Sequence, residues 1–145
     1  MQALRTTPRT TIAIATAAVL TISLAFGYWL NVGNDDKQVV AWIVVSLVGS
    51  LIAAALLLRF VPATEAETDG NAPARRALVL GAAALITCVV FWTGLPIVLG
   101  IPAVVLAAEG RARAGTHGQA GEATAGAVLG GFAALASVVL LVAGA

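Results

Sequence analysis

The fold is decided by residues 77–108, with the sequence ALVLGAAALITCVVFWTGLPIVLGIPAVVLAA. These 32 residues carry no charged side chain, and the run is broken at Gly94-Leu95-Pro96 and at Gly100-Ile101-Pro102. A single α-helix of this length would measure about 48 Å, whereas the hydrocarbon core of a bilayer is about 30 Å thick. Because proline obstructs the preceding helical turn and glycine readily ends a helix, we predict a hairpin that turns at Gly94 and Pro96. Its arms are spans over 77–93 and 97–113, and Pro102 either kinks the second arm or marks its true start.

The composition of the whole chain predicts a helical membrane protein. Of its 145 residues, 60% are hydrophobic and 10% are charged, whereas a soluble domain is nearer half apolar and a quarter charged. The net charge of +1 and the lack of an aromatic and basic platform argue against nucleic acid as a partner. With one cysteine, Cys88, and one histidine, His117, the chain has no intrachain disulfide and no structural zinc site, and we expect no cofactor.

Three further apolar runs complete an all-α, polytopic architecture in one membrane domain. They predict spans over about 12–30, 39–58 and 123–143. Residues 31–38 form a short polar turn, and residues 61–75, which are rich in acids, prolines and small side chains, are expected to be a mobile loop. The first run has an alternative interpretation as a signal peptide cleaved near Ala25-Phe26-Gly27, although its length and the spans that follow favour a retained helix.

The distribution of arginine favours five spans over four. Lysine and arginine collect in cytoplasmic loops. Five spans with a cytoplasmic N-terminus place seven basic residues inside and only Lys37 outside. The alternative, four spans with a long kinked third, moves Arg111 and Arg113 outside and lowers the ratio to five against three. We assign topology and lipid-headgroup contact to five arginines, namely Arg59, Arg75, Arg76, Arg111 and Arg113.

Aromatic side chains agree with this orientation, because amphipathic rings favour the membrane interface. The five-span topology places four of them at the outer interface, namely Tyr28, Trp29, Trp42 and Trp92.

Small residues four apart in the last span predict close helix packing. Gly126, Gly130 and Ala134 share one helical face, which permits close approach either to a neighbouring helix of this chain or to a second copy. No span carries an ionisable group at lipid depth, and a serine nucleophile needs a nearby base. We therefore expect no enzymatic activity.

The half of the chain from Ala77 onwards resembles a known kind of domain. It is similar to a small multispan domain of unknown function found in actinobacterial membrane proteins. The similarity rests on Leu80-Gly81, Gly100-Ile101-Pro102-Ala103, Arg111, Arg113, Gly118, Gly121, Gly126 and Gly130. This resemblance implies a helical membrane domain and brings no activity with it.

The function expected from the sequence is therefore structural. We predict a multi-pass plasma-membrane protein that acts as an accessory or scaffold subunit through helix–helix contacts, with the bilayer and either itself or another membrane protein as partners. The alternative is a pore or facilitator for a small neutral solute, lined by the hydroxyls of Thr87, Thr93 and Ser137.

Overall fold

A computed structural model describes residues 2–30 and 36–144, and the regular structure of these residues is entirely helical. Seven α-helices follow one another: α1 Gln2–Thr6, α2 Arg9–Ala25, α3 Asp36–Ala55, α4 Val61–Ala66, α5 Ala72–Ile86, α6 Leu95–His117 and α7 Ala120–Ala143. Three short segments of π-helix or 3-10 helix extend the α-helices. π-helical turns cover Phe26–Leu30 after α2 and Leu56–Phe60 between α3 and α4, and a 3-10 helix over Thr87–Thr93 continues α5.

Within the described residues, five helices are long and apolar enough to cross a membrane. They are Arg9–Tyr28, Asp36–Ala66, Ala72–Thr93, Leu95–His117 and Ala120–Ala143. This confirms the all-α fold with five apolar helices. The single long third helix of the four-span alternative is not observed, because Gly94 separates two helices.

Gly94 makes the turn between α5 and α6. Its backbone is left-handed, with φ 72° and ψ 3°, a conformation that costs glycine little. A Cβ atom added here would also run into Cδ1 of Leu20. Pro96 follows in the first turn of α6, where its missing N–H leaves no hydrogen bond unmade. Because α6 begins at Leu95 and continues to His117, Pro102 lies inside this helix and does not mark its start.

The segment predicted as a mobile loop over 61–75 is largely helical. Helix α4 occupies its first part and α5 starts at Ala72, so only residues 67–71, which we call the strap, lie between helices. Pro62 and Pro73 resemble helix breakers in the sequence, yet each lies in the first turn of a helix, where proline is tolerated. Of the polar turn predicted over 31–38, residues 31–35 lie outside the described residues.

Helices α5, α6 and α7 form a tightly packed three-helix core. Gly126 of α7 lies against Ala77 of α5, and a Cβ added to Gly126 would be 2.5 Å from the Ala77 carbonyl carbon. Gly130 of α7 lies against Gly100 of α6, and its added Cβ would be 2.8 Å from the Gly100 carbonyl oxygen. Since Gly110 near the end of α6 meets Ala74 near the start of α5, these two helices are antiparallel.

The α2–α3 pair packs on one side of this core. Leu20 of α2 is fully buried, and it fills the space beside Gly94 and Gly49 of α3. With neighbours on several sides, α6 is the most buried of the five long helices.

The close contact at Gly126 predicts a loss of stability on adding one methyl group. Gly126→Ala is expected to destabilise the protein by about 1–3 kcal/mol, because the new Cβ meets backbone atoms that cannot move aside. Gly121→Ala is the matched control in the same helix, since an added Cβ there meets nothing within 4 Å. Helix propensity alone favours alanine over glycine at both sites.

Thermal unfolding in mild detergent, followed through the reactivity of the half-buried thiol of Cys88 with a fluorogenic maleimide, measures both variants. Equal unfolding temperatures for the two variants would show that the Gly126 contact does not exist.

Candidate functional site

The helix directions bring the seven arginines of the chain to one end of the bundle, which we call the arginine end. Ion pairs connect its parts. Glu109 of α6 accepts hydrogen bonds from Arg5 of α1 at 3.0 Å and from Arg113 at 3.1 Å. Arg9 of α2 pairs with Glu65 of α4. The Arg5–Glu109 pair thus joins α1 to the three-helix core, and the Arg9–Glu65 pair joins α2 to α4.

The central ion pair of the arginine end is partly shielded from solvent. The side chains of Glu109 and Arg113 are only 17% and 18% exposed. Solvent therefore screens this pair less than it screens an exposed pair, whose net contribution is small. Arg113 also donates to the backbone carbonyls of Glu65 and Glu67, so it holds the strap against α6.

Arg76 is fixed by three contacts at the start of α5. It donates to the Thr64 hydroxyl at 2.7 Å, pairs with Glu67 at 2.6 Å and lies 5.4 Å from the centre of the Phe60 ring. Both Arg76 and Arg113, which the sequence assigned to lipid headgroups, thus bind groups of their own chain. Among the described residues, the other three assigned arginines, Arg59, Arg75 and Arg111, are exposed and make no ion pair.

Asn71 has a buried polar side chain, and its role was not predicted from the sequence. It is 1% exposed and forms three hydrogen bonds. Its carboxamide oxygen accepts from the Ala74 N–H at 3.3 Å and caps α5, while its nitrogen donates to the carbonyls of Gly110 at 2.7 Å and Gly118 at 2.9 Å. Asparagine directly before Ala-Pro is a recognisable helix-start pattern, and that signal could have placed the cap.

The helix-packing residues of α7 are used within the chain. Gly126 faces α5 and Gly130 faces α6, and a Cβ added at Gly100 of α6 would lie 3.1 Å from the Ala134 Cβ. The structure therefore places all three residues, Gly126, Gly130 and Ala134, against neighbouring helices of the same molecule.

The hydroxyls considered for a solute path lie toward the other end of the bundle. Thr87 donates to the Ala84 carbonyl at 2.8 Å, Thr93 to Val90 at 2.7 Å and Ser137 to Phe91 at 3.4 Å. Each hydroxyl hydrogen is thus bonded to a helix carbonyl, an arrangement typical of hydroxyls within membrane helices.

The only thiol and the only imidazole of the chain lie far apart along the bundle. The half-buried Cys88 sulfur is 3.8 Å from the Ala133 carbonyl oxygen, where the 3-10 helix after α5 packs on α7. His117 is exposed beside Thr116 at the arginine end. Among the described residues, no group of three or more His, Cys, Asp or Glu side chains is placed to hold a metal ion.

Comparisons with protein-family models, with curated proteins and with solved structures find no match to this chain. The resemblance of its second half to an actinobacterial membrane domain stays a prediction.

The hydrogen bonds of Asn71 predict that replacing this residue destabilises the arginine end. Asn71→Ala is expected to cost about 2 kcal/mol or more, because the cap is lost and the Gly110 carbonyl loses a buried donor. Asn71→Asp keeps the capping oxygen but removes both N–H donors, so it should be destabilised as well.

Thr68→Ala, at an exposed strap position, is the control and should behave as wild type. Thermal unfolding in detergent compares the three variants. An unfolding temperature for Asn71→Asp equal to that of wild type would mean that the bonds to Gly110 and Gly118 contribute nothing.

Proposed function

We propose that this protein is a non-catalytic, multi-pass protein of the plasma membrane, with a cytoplasmic N-terminus, that acts as an accessory or scaffold subunit through helix–helix contacts. The five long apolar helices support the membrane location. The seven arginines gathered at one end support the orientation, because positively charged segments stay in the cytoplasm.

The outer face of α3 is the observation that carries the proposal. Only Ser46, Gly49 and Ala53 of this helix are buried. The remaining surface presents a long row of exposed large apolar side chains: Val40, Ile43, Val44, Leu47, Val48, Leu51 and Ile52. In a bilayer this face meets either lipid or another transmembrane helix.

A groove beside α3 adds a concave region to this face. It has a volume of about 280 Å³ and lies between α3 and the start of α6. Its lining is almost wholly apolar: Val44, Val45, Val48, Gly49, Ile52, Thr93 and Leu95. Van der Waals packing drives helix association in lipid, so a concave apolar wall favours a helix that fills it.

The other close-packing faces are already occupied. Gly81, Gly100, Gly126 and Gly130 face one another inside the three-helix core. A partner helix would therefore contact α3 rather than the small-residue face of α7. No observation favours the alternative of a solute pore, because the three hydroxyls that would line it are bonded to carbonyls.

Site-specific crosslinking tests this proposal. A photoreactive phenylalanine analogue placed at Leu47 of α3 is expected to yield an adduct of defined mass in native membranes. The same analogue at Phe132 of α7 is the matched control, because both side chains are exposed and apolar. Adducts with lipid alone at both positions would contradict an accessory or scaffold role, and solute flux through liposomes containing the protein alone would favour a pore instead.

A further inference from the structure

We propose that a groove at the start of α5 binds the phosphate headgroup of one anionic membrane lipid. The groove has a volume of about 300 Å³ and is lined by Ala72, Arg75, Arg76 and Val79. These positions are spaced three and four residues apart, so they form a single stripe on the helix surface. The inference rests on the membrane location proposed above but not on the accessory role.

The two arginines that line the groove differ in the number of contacts that they make within the protein. Arg76 is held by Glu67, Thr64 and the Phe60 ring, yet its side chain remains 38% exposed. Arg75 is exposed, and it makes no ion pair or hydrogen bond with any described residue. The held guanidinium of Arg76 and the unpaired guanidinium of Arg75 together favour binding of a phosphate group. A guanidinium binds phosphate through two parallel hydrogen bonds. Since Glu67 already offsets part of the charge of Arg76, the bound phosphate depends mainly on Arg75.

The apolar side of the stripe distinguishes a lipid from free phosphate. Val79 lies one helical turn farther from the arginine end and is 67% exposed. Two further exposed side chains, Ile86 and Val89, continue the apolar surface of the same segment. The order from cationic to apolar matches a phospholipid, whose phosphate lies at the interface and whose acyl chains extend toward the bilayer centre. Inorganic phosphate has no acyl chain, so it would not use the apolar surface at Val79.

The other exposed arginines provide an internal comparison. Arg111 of α6 is exposed at the same end of the bundle but does not line this groove. It therefore attracts anionic lipid only through its charge, as any basic residue near an anionic surface does. Arg75→Gln and Arg111→Gln remove the same charge from the same end, and only the first change alters the groove.

Lipid retention measured by native mass spectrometry tests the proposal. The full-length protein in mild detergent is supplied with equal amounts of phosphatidylglycerol and phosphatidylcholine. Wild type is expected to retain one phosphatidylglycerol in preference to phosphatidylcholine. Arg75→Gln should lower that retention about fivefold, the effect of one arginine at a lipid phosphate, whereas Arg111→Gln should lower it less than about twofold.

Three outcomes would overturn the site. These are equal losses in the two variants, equal retention of the two lipids by wild type, and complete displacement of the lipid by millimolar inorganic phosphate. An unchanged unfolding temperature for Arg75→Gln, expected at an exposed position, shows that the variant is folded. Because retention is measured on the isolated protein, its failure leaves the crosslinking result at Leu47 unaffected, and the two proposals fail separately.

Discussion

Close backbone contact among α5, α6 and α7 is the constraint on which the rest of the structure depends. Lipid tails are as apolar as the helix side chains, so association in a bilayer relies on van der Waals packing and on interhelical hydrogen bonds. Glycine allows the closest packing, and Gly126 and Gly130 place α7 directly against the backbones of α5 and α6. These contacts fix the register of the three helices, which brings the end of α6 beside the start of α5.

The register determines the contacts at the arginine end of the bundle. At the arginine end it places Gly110 against Ala74, and Asn71 can then bond to α6 while it caps α5. Arg113 holds the strap in the same region. Once the core is closed in this way its small-residue faces are filled, and the surfaces that remain for other molecules include the apolar face of α3 and the groove beside Arg75.

The sequence predicts the elements of this fold better than their contacts. Apolar runs and the Gly94–Pro96 break suffice for five helices, since both depend on local composition and backbone geometry. The helices on either side of the strap could not be predicted, because Pro62 and Pro73 signal a break and a helix start equally well. The sequence also does not show that Glu65 pairs with Arg9 of α2 and Glu67 with Arg76 of α5. The Gly126-x-x-x-Gly130 pattern indicates close packing without naming the helix that packs. The sequence likewise does not show which way an arginine side chain points, and Arg113 turns inward because Glu109 lies one helical turn before it.

The sidedness of two positions tests whether α5 and α6 form a hairpin that turns at Gly94. Cysteines replace Asp69 in the strap and Gly115 near the end of α6, in a chain whose Cys88 is serine. Both sites are exposed, and a Cβ added at Gly115 meets nothing within 4 Å. With α5 and α6 as two separate spans, a membrane-impermeant maleimide labels both cysteines from the cytoplasmic side only. Labelling of the two cysteines from opposite sides would contradict the hairpin at Gly94 and the shared arginine end.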